Sequence, residues 1–159
     1  MKSIDKSVFI ADGAKVIGEV EIGKNSSVWF NAVIRADSDK VKIGDNSNVQ
    51  DNAVIHTSEG FGVQIGNNVT IGHSAIVHGC TIGDNVMIGM GAIVLNGAVI
   101  GENSIIGAGT LVTQGKVIPA RSLAFGNPVK IVRELTDEEI KSITDNANSY
   151  VREAQNYNK

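Results

Sequence analysis

The chain has 159 residues, a net charge of −3 with both signs interspersed, 42% hydrophobic residues, only 4% aromatic residues and 18 glycines. This length suits one domain with its own core, and the charge argues against a surface for DNA or RNA. No apolar run approaches the roughly 20 residues of a membrane span. A single cysteine, Cys80, and a polar N-terminus without an apolar stretch point to a soluble, cytoplasmic protein that forms no internal disulfide.

From the N-terminus onward, aliphatic residues recur at intervals of six. The first series is Ile10, Val16, Ile22, Val28 and Ile34, followed by Ile43, Val49 and Ile55, then Ile65, Ile71 and Val77. Ile82, Ile88, Val94, Ile100, Ile106, Val112 and Ile118 complete the pattern. A period of six fits neither an amphipathic helix nor a long strand. It predicts an all-β solenoid, a prism in which each short strand turns one aliphatic inward and three strands close a coil of 18 residues. Gly and Asn at the turns, from Gly23-Lys24-Asn25 to Gly101-Glu102-Asn103, tolerate positive φ.

The step fails in three places. Extra residues predict a small loop at 36–42 and another at 57–64, and one residue is missing between Val77 and Ile82. Each departure lies beside an arginine or histidine, where loops tend to serve a site. Within the solenoid, Met87 and Met90 read as packing residues and Cys80 as a small buried side chain rather than a soft ligand. Trp29 and Phe30, one coil below Gln50 and Asp51, are placed for a subunit contact.

The solenoid is expected to fill residues 1–126, with 127–159 a turn and helix packed on it in the same domain. Gly126-Asn127-Pro128 predicts the turn. Thr136-Asp137-Glu138-Glu139 predicts a helix start with a capping box and acids at its positive end. Ile140, Ile143, Ala147, Tyr150, Val151 and Ala154 then form one apolar stripe.

All three histidines, His56, His73 and His78, fall in one short region. His56 follows Ile55 and His78 follows Val77, both third strands of their coils, so the two share a column one coil apart with Arg35 one coil earlier. Stacked strands are about 4.7–4.9 Å apart, close enough for two outward imidazoles to share one ion. His73 sits at a corner and points away from that column. Three imidazoles suffice for a catalytic zinc with one open position. The register therefore predicts a homotrimer in which His56 and His78 of one chain meet His73 of the next. An exposed histidine is ordinarily only a solvated residue, and histidines can bridge subunits without metal; two of three in one column weigh against both.

The repeat, over about residues 8–126, resembles the hexapeptide-repeat proteins, whose fold is a left-handed parallel β-helix. Arg35-Ala36-Asp37, Asn48-Val49-Gln50-Asp51, His56, Gly72-His73 and His78-Gly79 are similar to the γ-class carbonic anhydrases. That resemblance implies a trimer with zinc, or iron or cobalt, at each subunit interface, held by His56, His73 and His78. It implies that Gln50 hydrogen-bonds the metal-bound hydroxide or bicarbonate, and that Arg35, Asp37 and Asp51 join subunits around the site. Glu59 falls near the family's proton-shuttle position, within a shorter loop, and is otherwise a plain surface acid. Tyr150 matches a helix tyrosine that approaches the metal, although Arg152 stands where an asparagine is usual. The implied function is reversible hydration of CO2 to bicarbonate. An acetyl-CoA-dependent acyltransferase and a non-catalytic metal-binding trimer are the alternatives.

Overall fold

The computed structural model describes residues 2–157. Its body is a parallel β-solenoid of about seven turns, and one helix follows, Asp137–Tyr157. Strands of two or three residues stack in exact sequence order on three faces. The first face runs Phe9–Ile10, Ser27–Val28, Asn48–Val49, Thr70–Ile71, Met87–Ile88, Ile105–Ile106 and Ser122–Phe125. Along the second, Val33–Arg35 pairs with Val54–His56, which pairs with Ile76–His78. The third carries Val41–Ile43, Val63–Ile65, Thr81–Ile82, Val99–Ile100 and Val117–Ile118.

The six-residue period has a direct physical cause. One aliphatic per strand points to the axis, and Ile34, Ile55, Ile71, Ile88, Val94 and Ile106 are completely buried there. The chain must then turn through a corner every few residues. Asn25, Asn46, Asn68, Asn85 and Asn103 make one corner at φ 54–56°, where asparagine bears little penalty. Ile10 keeps the inward register but is 41% exposed, because no coil lies beyond it.

Several expectations need correction. Residues 36–42 are not a loop: Val33–Ile43 is one strand of 11 residues, paired with Lys15–Ile22. Ala36 pairs with Gly18 and Val41 with Val20, so the inserted residues 37–40 bulge past Glu19 within the strand, where Lys40 joins Glu19 at 3.1 Å. The second loop is shorter than expected, because Val63 and Gln64 already belong to a strand and Ser58 bridges to Phe61. Pairing begins earlier than the repeat suggests, with Ser3–Ile4 against Glu21–Ile22. It also continues beyond 126: after a cis Asn127-Pro128 bond, Lys130–Glu134 runs antiparallel to Ser122–Phe125.

The helix begins with the expected capping box. Thr136 N–H donates to Glu139 Oε2 at 2.9 Å, and Glu139 N–H donates to Thr136 Oγ1 at 3.2 Å. Ile143, Ala147 and Ala154 are buried against the first face. Asn146 donates to Thr70 Oγ1 at 2.9 Å, which pins the helix over that face. Trp29 is used here and not at a free surface: it is buried between Phe9, Tyr150 and Tyr157, with ring centroids 5.2–5.5 Å apart. Met90 is also not a core residue; it stands 61% exposed at a corner. Cys80 is buried, which pushes its thiol up to about 12. No helix of the described residues is long and apolar enough to cross a membrane.

Candidate metal centre

The second face aligns Arg35, His56 and His78 in direct register across three neighbouring strands. Each follows a buried aliphatic (Ile34, Ile55 and Val77), so the pleat turns all three side chains outward. The two imidazoles lie edge to face at 73°, with ring centroids 4.9 Å apart. His56 Nδ1 lies 3.0 Å from His78 Nε2.

The outer ring nitrogens meet oxygen. His56 Nε2 lies 3.0 Å from Asp37 Oδ1, and His78 Nδ1 lies 2.5 Å from Asn96 Oδ1. Asp37 is in turn paired with Arg35 within the same strand. The Arg35 guanidinium holds the Asp37 carboxyl below its usual range, His56 adds to that effect, and partial burial opposes it. A carboxylate and an amide oxygen only accept, so the outer ring nitrogens donate. The two inner nitrogens are left facing each other.

His73 occupies the corner between the first and second faces, at the other end of the second face from His78. Its Nδ1 lies 2.9 Å from Asp51 Oδ2, and its Nε2 has no hydrogen-bond partner among the described residues. Its backbone N–H donates to Gln50 Oε1 at 3.2 Å. Gln50 is buried, and its Nε2 donates to Asn48 Oδ1 at 3.1 Å. Arg35 and Asp51 thus each pair within the chain, with Asp37 and His73, and not with each other.

Tyr150 is half-buried edge-on to Trp29. Burial raises its phenol first, and the charges of Glu153 and Asp51 add to the effect. Glu59 stands at the exposed turn between Ser58 and Phe61, with no ion-pair or hydrogen-bond partner among the described residues.

The donor set suits a metal. Two nitrogens on one tetrahedral zinc stand roughly 3.3 Å apart, close to the 3.0 Å between His56 Nδ1 and His78 Nε2. A ligating histidine ordinarily donates its other N–H to a carboxylate or carbonyl oxygen. His56, His73 and His78 each have such an oxygen, from Asp37, Asp51 and Asn96. Among the described residues, no group of three or more His, Cys, Asp or Glu within the chain is arranged to hold an ion. Sequence reasoning missed Asn96, whose only signal is that it lies one coil of 18 residues after His78.

The fold and repeat define a hexapeptide-repeat protein, and family models agree. Residues 62–93 and 79–114 match "Bacterial transferase hexapeptide (six repeats)", and 40–73 match "Hexapeptide repeat of succinyl-transferase". The solenoid is the left-handed parallel β-helix of these proteins. A solved Bacillus cereus protein, under a name that proposes an acetyltransferase, is 47% identical, with a TM-score of 0.96 over 98% of this chain and 91% of that one. A Methanocaldococcus jannaschii protein named "Probable carbonic anhydrase" is 59% identical over 94% of both chains. "Gamma carbonic anhydrase 2, mitochondrial" of Arabidopsis thaliana is 44% identical over 96% of this chain, which spans 57% of that longer protein. The chain belongs to the γ-class carbonic anhydrase family, whose members are lyases.

Proposed function

We propose that the chain hydrates CO2 reversibly to bicarbonate at a metal site shared between neighbouring subunits of a homotrimer. One subunit would supply His56 and His78 and its neighbour His73, holding zinc, with iron or cobalt as alternatives. The observation that carries this reading is that each of the three imidazoles has one ring nitrogen on an oxygen acceptor and its other nitrogen away from it. Only two of those nitrogens converge among the described residues of one chain, at 3.0 Å, which supports a third supplied by another subunit.

When bound, the ion supplies a Lewis-acidic centre that activates water near neutral pH. The chain's own residues do the rest. Asp37, Asp51 and Asn96 orient the rings, and Arg35 holds Asp37. Gln50 fixes the backbone of His73 through Oε1 and spends one amide hydrogen on Asn48. Its second amide hydrogen is the one left to donate to bicarbonate. Glu59, exposed and without a fixed partner, is free to swing and carry the released proton to buffer. Tyr150, packed edge-on to Trp29, would line the subunit contact on the helix side.

Elemental analysis of protein purified without chelator, with stopped-flow CO2 hydration on the same sample, tests this reading. About one metal ion per chain and hydration abolished by His78→Ala is the expected result. Metal without hydration would make the protein a non-catalytic metal-binding trimer. No metal, together with binding of coenzyme A, would make it an acyltransferase.

A further inference from the structure

We propose that Asn96 is a positioning residue that holds His78 in the tautomer with its proton on Nδ1, so that Nε2 is left to face the ion; this rests on the metal reading above. Asn96 Oδ1 lies 2.5 Å from His78 Nδ1. The amide oxygen can accept a proton bond and cannot give one, so only the tautomer with hydrogen on Nδ1 completes it. Asp37 and Asp51, which serve His56 and His73, carry negative charge. Asn96 performs the same orientation without adding charge to the site.

The surroundings hold Asn96 in place. Its carbonyl accepts from Gly115 N–H at 2.9 Å, and the next residue, Gly97, donates to Gly79 O at 2.8 Å. Gly79, directly after His78, makes the room: a Cβ there would come 2.4 Å from Asn96 Oδ1 and 2.8 Å from Phe61 Cβ. Its φ of 55° also favours glycine. Phe61, brought over by the loop at 57–62, lies across the same corner, with its Cε1 3.4 Å from where a Cβ on Gly97 would stand. Glycine and aromatic ring thus crowd the corner in which Asn96 meets the outer nitrogen of His78.

The test compares the unaltered chain with Asn96→Leu, which keeps the volume and removes the acceptor, and Asn96→Asp, which keeps the acceptor. Two quantities are read: the tautomer of His78 in metal-free protein, from nitrogen–proton NMR correlations of the ring, and zinc affinity by chelator competition. The expected result is His78 protonated on Nδ1 in the unaltered chain and in Asn96→Asp. Asn96→Leu should move that proton and weaken zinc binding by about 10–100-fold, with circular dichroism unchanged. Asn96→Leu with tautomer and affinity both unaltered would overturn the inference. So would Asn96→Asp failing as badly as Asn96→Leu, since the retained acceptor would then have had no effect. If the unaltered chain takes up no zinc, the metal reading itself falls; a tautomer that still shifts in Asn96→Leu would then mark that failure as separate from the role of Asn96 in the ring.

Discussion

A site divided between subunits can be rebuilt from two broken chains, and the structure sets how much should return. His73 and His78 are separated by five residues along one face. In extended chain that is on the order of 15 Å, against roughly 3.3 Å between two nitrogens on one zinc. His73 is moreover turned to Asp51, at 2.9 Å, while the His56 and His78 rings face each other at 3.0 Å. His73→Ala therefore leaves the pair intact, and His78→Ala leaves the corner intact. Each variant alone should lose its metal on dialysis against chelator while keeping its fold. In trimers co-expressed from both variants in equal amounts, a site is whole only where an intact pair meets an intact corner. In a mixed trimer of either composition that is one site of the three, so about one third of the sites should be rebuilt. Zinc per chain in mixed trimers, isolated through two different affinity tags, is the assay. Mixed trimers holding no more zinc than either variant alone would refute the shared site.

Three further outcomes follow from the geometry. Ile88→Ala empties a completely buried position at the middle of the stack and should cost about 2–5 kcal/mol in urea unfolding; a change below ~1 kcal/mol would contradict the packing described. Glu139 is held at about 2 against an ordinary 4.5, first by Arg133 and then by the Thr136 backbone. Its stabilising effect is complete above 4.5 and fades as pH falls toward 2, so the thermal midpoint should drop through that window and drop less in Glu139→Gln; equal slopes would remove the assignment. Cys80, buried and with its thiol pushed up to about 12, should react with a thiol reagent at pH 8 far more slowly in the native chain than in denaturant. Comparable rates would show that the third face opens readily.

The solenoid was legible because its inward residues repeat at a spacing that neither helix nor long strand can use, and counting coils placed His56 beside His78. Counting failed where pairing partners lie outside the repeat. Residues 36–42 looked like a loop because nothing in their own composition shows that Lys15–Ile22 lies alongside, where Ala36, Val41 and Lys42 pair. Trp29 looked free because the helix that covers it arrives more than 100 residues later, through Tyr150 and Tyr157. Asn96 belongs to no motif: an amide one coil above a histidine matters only once the corner brings it within bonding distance. The family resemblance was strongest at short polar strings, of which the second face aligns Arg35, His56 and His78 while Gln50 and His73 stand at the corner before it.

The antiparallel strand Lys130–Glu134 has a consequence for how copies of this chain can meet. A stack of parallel coils is an open-ended template, and an unprotected last coil would invite the first coil of another chain to continue the ladder into a filament. Here the first face closes with a strand running the opposite way, fully exposed and carrying Lys130, Arg133 and Glu134. An incoming Phe9–Ile10 strand would find on that face an edge running the wrong way for the parallel ladder it makes with Ser27–Val28. Growth of the first-face ladder is therefore blocked at this end.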